Sequence, residues 1–160
     1  MQLEILIIIK FAMLNYYIDL SERILAKAKL QEDTAELRKE LYYIRTNILE
    51  RKINTDELKK IFWINIYNSY VIIMAKEKLQ IKKPNKLKRI KFSNFLISLD
   101  DIKYGILRIQ KYNIGSYKIY NPFYPSYIKK LALEKTDSTI ILYLNNNILI
   151  NSTDVKHMNF

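Results

Sequence analysis

Eight of the eleven residues from Phe62 to Ile72, FWINIYNSYVI, are large and apolar. A chain of this size has to arrange itself around such a segment. Read alone, the run fits a buried strand. Its N-terminal flank points to a helix instead. Asn54 with Glu57 three residues later is a capping-box signature, in which each side chain takes an orphan N–H at the helix start. The spacing predicts one helix over 55–79 and places Asn65, Asn68 and Ser69 on one face at i, i+3, i+4. A buried amide left unpaired costs on the order of 1–3 kcal/mol. The asparagines therefore belong either to a satisfied buried network that fixes one packing arrangement or to a polar pocket that orients a ligand.

Composition supports helices. At 160 residues the chain is one domain's worth, 1–160, and can bury roughly 70% of the surface its unfolded form exposes. It is 49% hydrophobic with only two Gly and three Pro, which favours long helices over a turn-rich sandwich or barrel. There is no cysteine, so disulfides, thiolate metal sites and cysteine nucleophiles are excluded. The single histidine, His157, rules out a His–His metal pair and a serine triad built elsewhere. No metal and no other cofactor is expected.

Further elements follow from periodicity and caps. Residues 3–14 read as a helix or strand packed on the domain, too short to span a membrane. Glu4, Lys10 and the lack of a small-residue cleavage site argue against secretion, and the expected location is cytoplasmic. Ile18, Leu20, Ile24, Leu25 and Ala28 form a stripe that predicts a helix over 18–30. Asp33 and Glu36 form a second capping box, opening a helix over 34–51 with Leu37, Leu41, Ile44, Ile48 and Leu49 buried. A loop and a short strand near Phe92–Ile97 come next. Ser98, with Asp101 three residues on, starts a helix over 99–110, with two acids in the first turn where the helix dipole favours them. Gly105 inside that helix costs up to about 1 kcal/mol against alanine, so something should approach its backbone closely. A turn around Pro122 and Pro125 leads to a helix over 125–135. The two apolar runs of STIILYLNNNILI suggest a hairpin with Asn146–Asn147 at its tip. The tail NSTDVKHMNF reads as loose.

The net charge is +11, which would suit a polyanion such as nucleic acid or a membrane surface. The chain is also loaded with Ile, Lys, Asn and Tyr, the residues that AT-rich codons favour, and lysine accumulates that way without a ligand. Lys82, Lys83, Lys86, Lys88, Arg89 and Lys91 gather around Pro84 with no acid between them. That cluster is either a solvated connection or a phosphate-binding loop.

Three motifs, FWINIYNSYVI, SLDDIKYGILR and YNPFYPSYIKKLALEKTD, in that order, make residues 16–137 resemble the domain of unknown function 547 family. The resemblance implies a compact α+β domain rich in helix. This agrees with the elements above: α+β, a predominantly helical single domain with a small sheet or hairpin near the C-terminus. The departures fall on polar positions. Lys103 and Tyr104 stand where the family reads Glu-His. Asp137, Ile140, Leu144 and Asn145 match its downstream motif, but Ile141 replaces a histidine. Asn146 and Asn151 replace cysteines, Asn147 a glycine, and Ser152 and Thr153 prolines. The Cys–His pairing that thiol chemistry requires, and that the resemblance implies for the family, is missing. Residues 138–160 then form a divergent tail, as in a degenerate paralogue or a truncated or frameshifted reading frame.

The expected function is that of a catalytically silent scaffold or binding module. The alternative is a basic nucleic-acid-binding module using the 82–91 cluster and exposed tyrosines. The candidate pocket sets Asn65 and Asn68 beside Asp100, Asp101 and Arg108, with the FWINIYN helix packed on the start of the SLDDI helix. Asp100 and Asp101 as an acid–base pair are disfavoured, because adjacent residues at a helix start point in different directions and capping explains both.

Overall fold

The computed structural model describes residues 2–77, 83–108, 111–114, 116–120, 122–135 and 137–145. Four helices come first: α1 (Gln2–Lys29), α2 (Ala35–Tyr43), α3 (Thr46–Lys52) and α4 (Asp56–Lys76). A short 3-10 turn, Pro84–Lys86, leads to the antiparallel hairpin β1 (Ile90–Phe92) and β2 (Phe95–Ile97). A π-helical segment, Asp101–Ile106, follows. A second antiparallel hairpin comes next, β3 (Lys111–Ile114) with β4 (Tyr117–Tyr120), and then α5 (Ser126–Leu131) and α6 (Ile140–Asn145). The protein is predominantly helical with a small sheet in its C-terminal half, the α+β class expected.

Helix α4 is the hub. Every residue from Ile61 to Tyr70 is buried, so this helix has no polar face to give it an amphipathic stripe. Helix α1 lies along it, and α6 and the π segment pack on its other sides. Trp63 sets its ring edge-on to both Phe62 and Phe92, at 5.0 Å each, which joins α4 to the first hairpin. The start of α4 differs by one residue from the sequence reading. Thr55, not Asn54, is the cap, and its hydroxyl accepts the Leu58 N–H at 3.3 Å. The helix ends at Lys76; residues 78–79 of the expected span lie outside the described residues.

Other boundaries are corrected for identifiable reasons. The single helix expected over 34–51 is two helices, because Ile44 and Arg45 are extended. The tip of the first hairpin fills that gap. Ser93 and Asn94 both have positive φ, 47° and 62°, the backbone a two-residue type I′ turn requires. Asn94 N–H donates to the Tyr42 carbonyl at 3.1 Å, and Ser93 Oγ accepts the Thr46 N–H at 3.0 Å. The turn thus caps the end of α2 and the start of α3 together. Asp33 takes the Ala35 N–H at 2.9 Å, but Thr34 is the helix-flanking residue and its side chain caps nothing. The strand expected near Phe92–Ile97 is a hairpin. Residues 3–14 belong to one continuous α1. The helices expected over 99–110 and 125–135 are shorter.

The C-terminal hairpin expected from STIILYLNNNILI is overturned in its first half, since residues 140–145 form α6. The expected tip, Asn146–Asn147, and the tail lie outside the described residues. The missed signal is a start signal. Asp137 Oδ1 accepts the Thr139 N–H and hydroxyl at 2.9 and 2.6 Å, and Ile140 and Leu144 then bury one face at i, i+4.

At Gly105 the expected close approach is present. A Cβ there would lie 2.8 Å from Ile128 Cγ2 and 2.9 Å from Tyr124 Cε1, so α5 and the chain before it rest on the bare glycine. Alanine gains up to about 1 kcal/mol of helix propensity. Forcing a methyl into a packed contact costs about 1–3 kcal/mol, and the clash wins. Gly105→Ala should be destabilised in chemical denaturation, and equal or greater stability would show that α5 yields without cost.

Candidate functional site

The two asparagines are both fully buried, and each reaches a different neighbour. Asn65 Nδ2 makes a long 3.4 Å contact to Ser21 Oγ on α1. Ser21 in turn donates to the Ile18 carbonyl, and Ser69 Oγ donates to the Asn65 carbonyl at 2.6 Å. Asn68 Nδ2 donates to the Tyr143 carbonyl on α6 at 2.9 Å. Its Oδ1 is buried without a hydrogen-bond partner. The amides bind α4 to the helices on two of its sides.

Asp100 and Asp101 open the π segment in a shallow depression of about 470 Å³, lined also by Lys86, Lys88, Ser98, Tyr104 and Tyr124. The expected capping box is fully formed. Asp101 N–H donates to Ser98 Oγ at 3.0 Å, and Asp101 Oδ2 accepts the Ser98 N–H at 2.8 Å. Helix α4 does pack on this segment, but neither asparagine lines the depression. From α4, Tyr67 lies near Asp100 and Tyr104 but does not line the depression. Burial raises the pKa of its phenol, and the nearby Asp100 and Tyr104 raise it further. Tyr127 is raised likewise by burial and then by Asp101. Arg108 and Lys103 both stand over the Tyr104 ring, 5.8 and 5.4 Å from its centroid, within the range of a cation–π contact. Of the five pocket residues expected, the structure brings Asp100 and Asp101 together, with Arg108 nearby through Tyr104.

The basic run divides. Lys82 lies outside the described residues. Lys83, Lys86, Lys88, Arg89 and Lys91 are exposed. Lys86 and Lys88 border the depression, while Lys88, Arg89 and Lys91 line a larger groove of about 670 Å³ beside α2 and the end of α4. Arg89 is paired with Glu77 at 3.1 Å.

One polar cluster was invisible in the sequence. Lys59 and Lys60 are each 7% exposed. Lys59 Nζ donates to the Ala132 carbonyl and Lys60 Nζ to Asp137 Oδ2, both at 2.9 Å. Asp56 accepts the N–H groups of Glu134 and Lys135 at 2.8 and 2.9 Å. These three residues fall at i, i+3, i+4 on α4, and together they hold Ala132, Glu134, Lys135 and Asp137. Burial pushes the Asp137 carboxyl up, but hydrogen bonds from Thr139 and Lys60 outweigh it and hold the pKa below its ordinary 3.8. Among the described residues no acidic or histidine cluster is arranged to hold a metal ion, and no helix is long and apolar enough to cross a membrane.

A family model described as Protein of unknown function, DUF547, matches residues 50–156. No curated protein and no solved structure matches the chain.

Asn68→Ala removes the donor to the part-buried Tyr143 carbonyl and should destabilise by on the order of 1–3 kcal/mol. An unchanged denaturation midpoint would show that the amide carries no weight. Asp137 supports a pH test. A carboxyl whose pKa is lowered on folding contributes stability that is present above its unfolded value and lost as pH falls through its folded one. Asp137→Asn should flatten the acid limb of stability below pH 3.8. It should also lower stability at neutral pH, because the buried Lys60 ammonium loses its charged partner. An acid limb of unchanged slope would assign that limb to other carboxylates.

Proposed function

The chain belongs to the DUF547 family, and from that premise we propose that it is a binding domain that performs neither thiol nor carboxylate hydrolysis. The observation that carries this reading is the Ser98–Asp101 box. A serine hydrolase needs a hydroxyl whose proton is taken by an adjacent base. Here the carboxylate of Asp101 accepts from the backbone of Ser98, and the Ser98 hydroxyl oxygen accepts from the backbone of Asp101. The two groups hold the π segment, and neither activates the other. Ser98 is also 3% exposed, so its oxygen offers a substrate little access.

The resemblance points the same way. Tyr104 and Ile141 occupy positions that the family fills with histidine, and no residue of the chain can supply a thiolate. A phenol flanked by Lys103 and Arg108 is a platform for contact with a ligand. A binding domain uses the same helices and pocket geometry without a nucleophile.

A panel of peptidase, esterase and thiol-transfer substrates should give no turnover with the purified protein. Turnover that is abolished in Asp101→Asn, whose amide oxygen can still accept the Ser98 N–H, would overturn this reading. A variant carrying Asn146→Cys, Ile141→His and Tyr104→His provides the converse test. Activity in that variant alone would support a scaffold from which the reactive groups have been lost.

A further inference from the structure

We propose that the groove between α2, the C-terminal half of α4 and the first hairpin binds single-stranded nucleic acid. It holds bases against Tyr43 and phosphates against Lys39, Lys88 and Lys91. This inference rests on the binding-domain reading above and names its ligand.

The charge of the groove is one-sided. Its lining holds Arg38, Lys39, Lys88, Arg89 and Lys91 against one acid, Glu77. That acid is already engaged, with Arg89 at 3.1 Å and Arg38 at 4.0 Å. Lys39, Lys88 and Lys91 are exposed and form no ion pair among the described residues. They sit on opposite walls, Lys39 on α2 and the other two on and just before β1. A chain of phosphates passing between them would be contacted from both sides, and its counterions released.

The aromatic lining separates this site from a merely basic surface. Tyr43 is 65% exposed. Tyr42 packs edge-on against it, with centroids 5.2 Å apart and planes at 68°, which braces the ring and leaves a face open. Every base has a π-face, so stacking on such a ring tolerates any sequence, but it requires bases that are not already stacked in a duplex. An acidic peptide or an anionic lipid surface would also use the lysines, but neither offers a flat base to stack on the face of Tyr43.

The walls are also fixed to each other. The hairpin tip donates from Asn94 to the carbonyl of Tyr42 at 3.1 Å. The backbone that carries the stacking ring is thus bonded to the element that carries Lys91. A site built on such joined elements spends little of its affinity on ordering.

The test is a titration of the full chain with a labelled oligo-dT, beside a hairpin duplex of equal charge and phosphatidylserine vesicles. The expected result is that the single strand binds most tightly, with an affinity that falls steeply with salt. Tyr43→Ala should weaken the single strand by between about five- and hundred-fold and leave duplex and vesicle binding unchanged. The double variant Lys88→Ala, Lys91→Ala should weaken all three and lower the salt slope by roughly 0.7 per lost contact on the single strand. Lys130→Ala, an exposed cation on α5, should change nothing. All four side chains are exposed, so circular dichroism should confirm that every variant is folded. Wild-type affinity in Tyr43→Ala would overturn the proposal, as would vesicles or duplex binding as tightly as the single strand, or no binding at low salt. None of these outcomes bears on catalysis, which the substrate panel tests separately.

Discussion

Ten consecutive buried residues, Ile61 to Tyr70, make α4 a helix that cannot exist without its neighbours. An amphipathic helix can rest on one partner and present its other face to water. This one needs cover on all sides, and the fold consists largely of that cover: α1 along one side, α6 and the π segment on others, the first hairpin at Trp63. The polar residues in the run serve the same end. Asn65 and Ser69 bond to α1 and to their own helix, and Asn68 donates to α6 while its buried Oδ1 has no partner. At the first turn, Asp56, Lys59 and Lys60 do the same for the chain between α5 and α6. Removing any one partner leaves a buried donor or acceptor exposed to no solvent, which is costly in a medium of low dielectric.

Features set by nearby residues were legible in the sequence. The helix at 62–72, the burial of both asparagines within it and the Ser98–Asp101 box each depend on spacing within a few positions; at Gly105 the sequence marked the crowding but not Tyr124 and Ile128, which supply it. Features set at long range were not. Lys59 and Lys60 look like any exposed pair on an N-terminal turn. Only the arrival of Ala132 and Asp137, over seventy residues away, makes them buried. The short run IILYL suits strand and helix equally by periodicity, and its contact with α4 settles the matter. The expected pocket drew Asn65 and Asn68 towards Asp100 because one helix packs on another. Which α4 side chains approach the depression depends on rotation about the helix axis, and that rotation keeps both asparagines out of it.

The two concave regions of the surface have different characters. The depression at Asp100 and Asp101 combines acids, lysines and tyrosines, and two of its polar residues, Ser98 and Asp101, are engaged in holding the π segment. The groove beside α2 carries an excess of cations and an open aromatic face on rigid walls. Lys88 borders both. The basic run around Pro84 reads in sequence as one patch, but in space it is a ridge with a face on each side.

The tip of the first hairpin has a consequence for how the chain reaches this structure. Ser93 and Asn94 supply the hydrogen bonds that let α2 stop and α3 begin, from 47 residues away in the case of Thr46 and Ser93. Nothing within residues 35–52 itself breaks a helix: there is no glycine and no proline. Local preference alone, with no breaker in the segment, would run a helix straight through Ile44 and Arg45. The native bend opposes that preference and is gained only when the turn docks, after a long loop has closed. The bend between α2 and α3 is therefore held from outside the segment that bends, and a change in the two-residue turn acts on a junction 47 residues earlier in the chain.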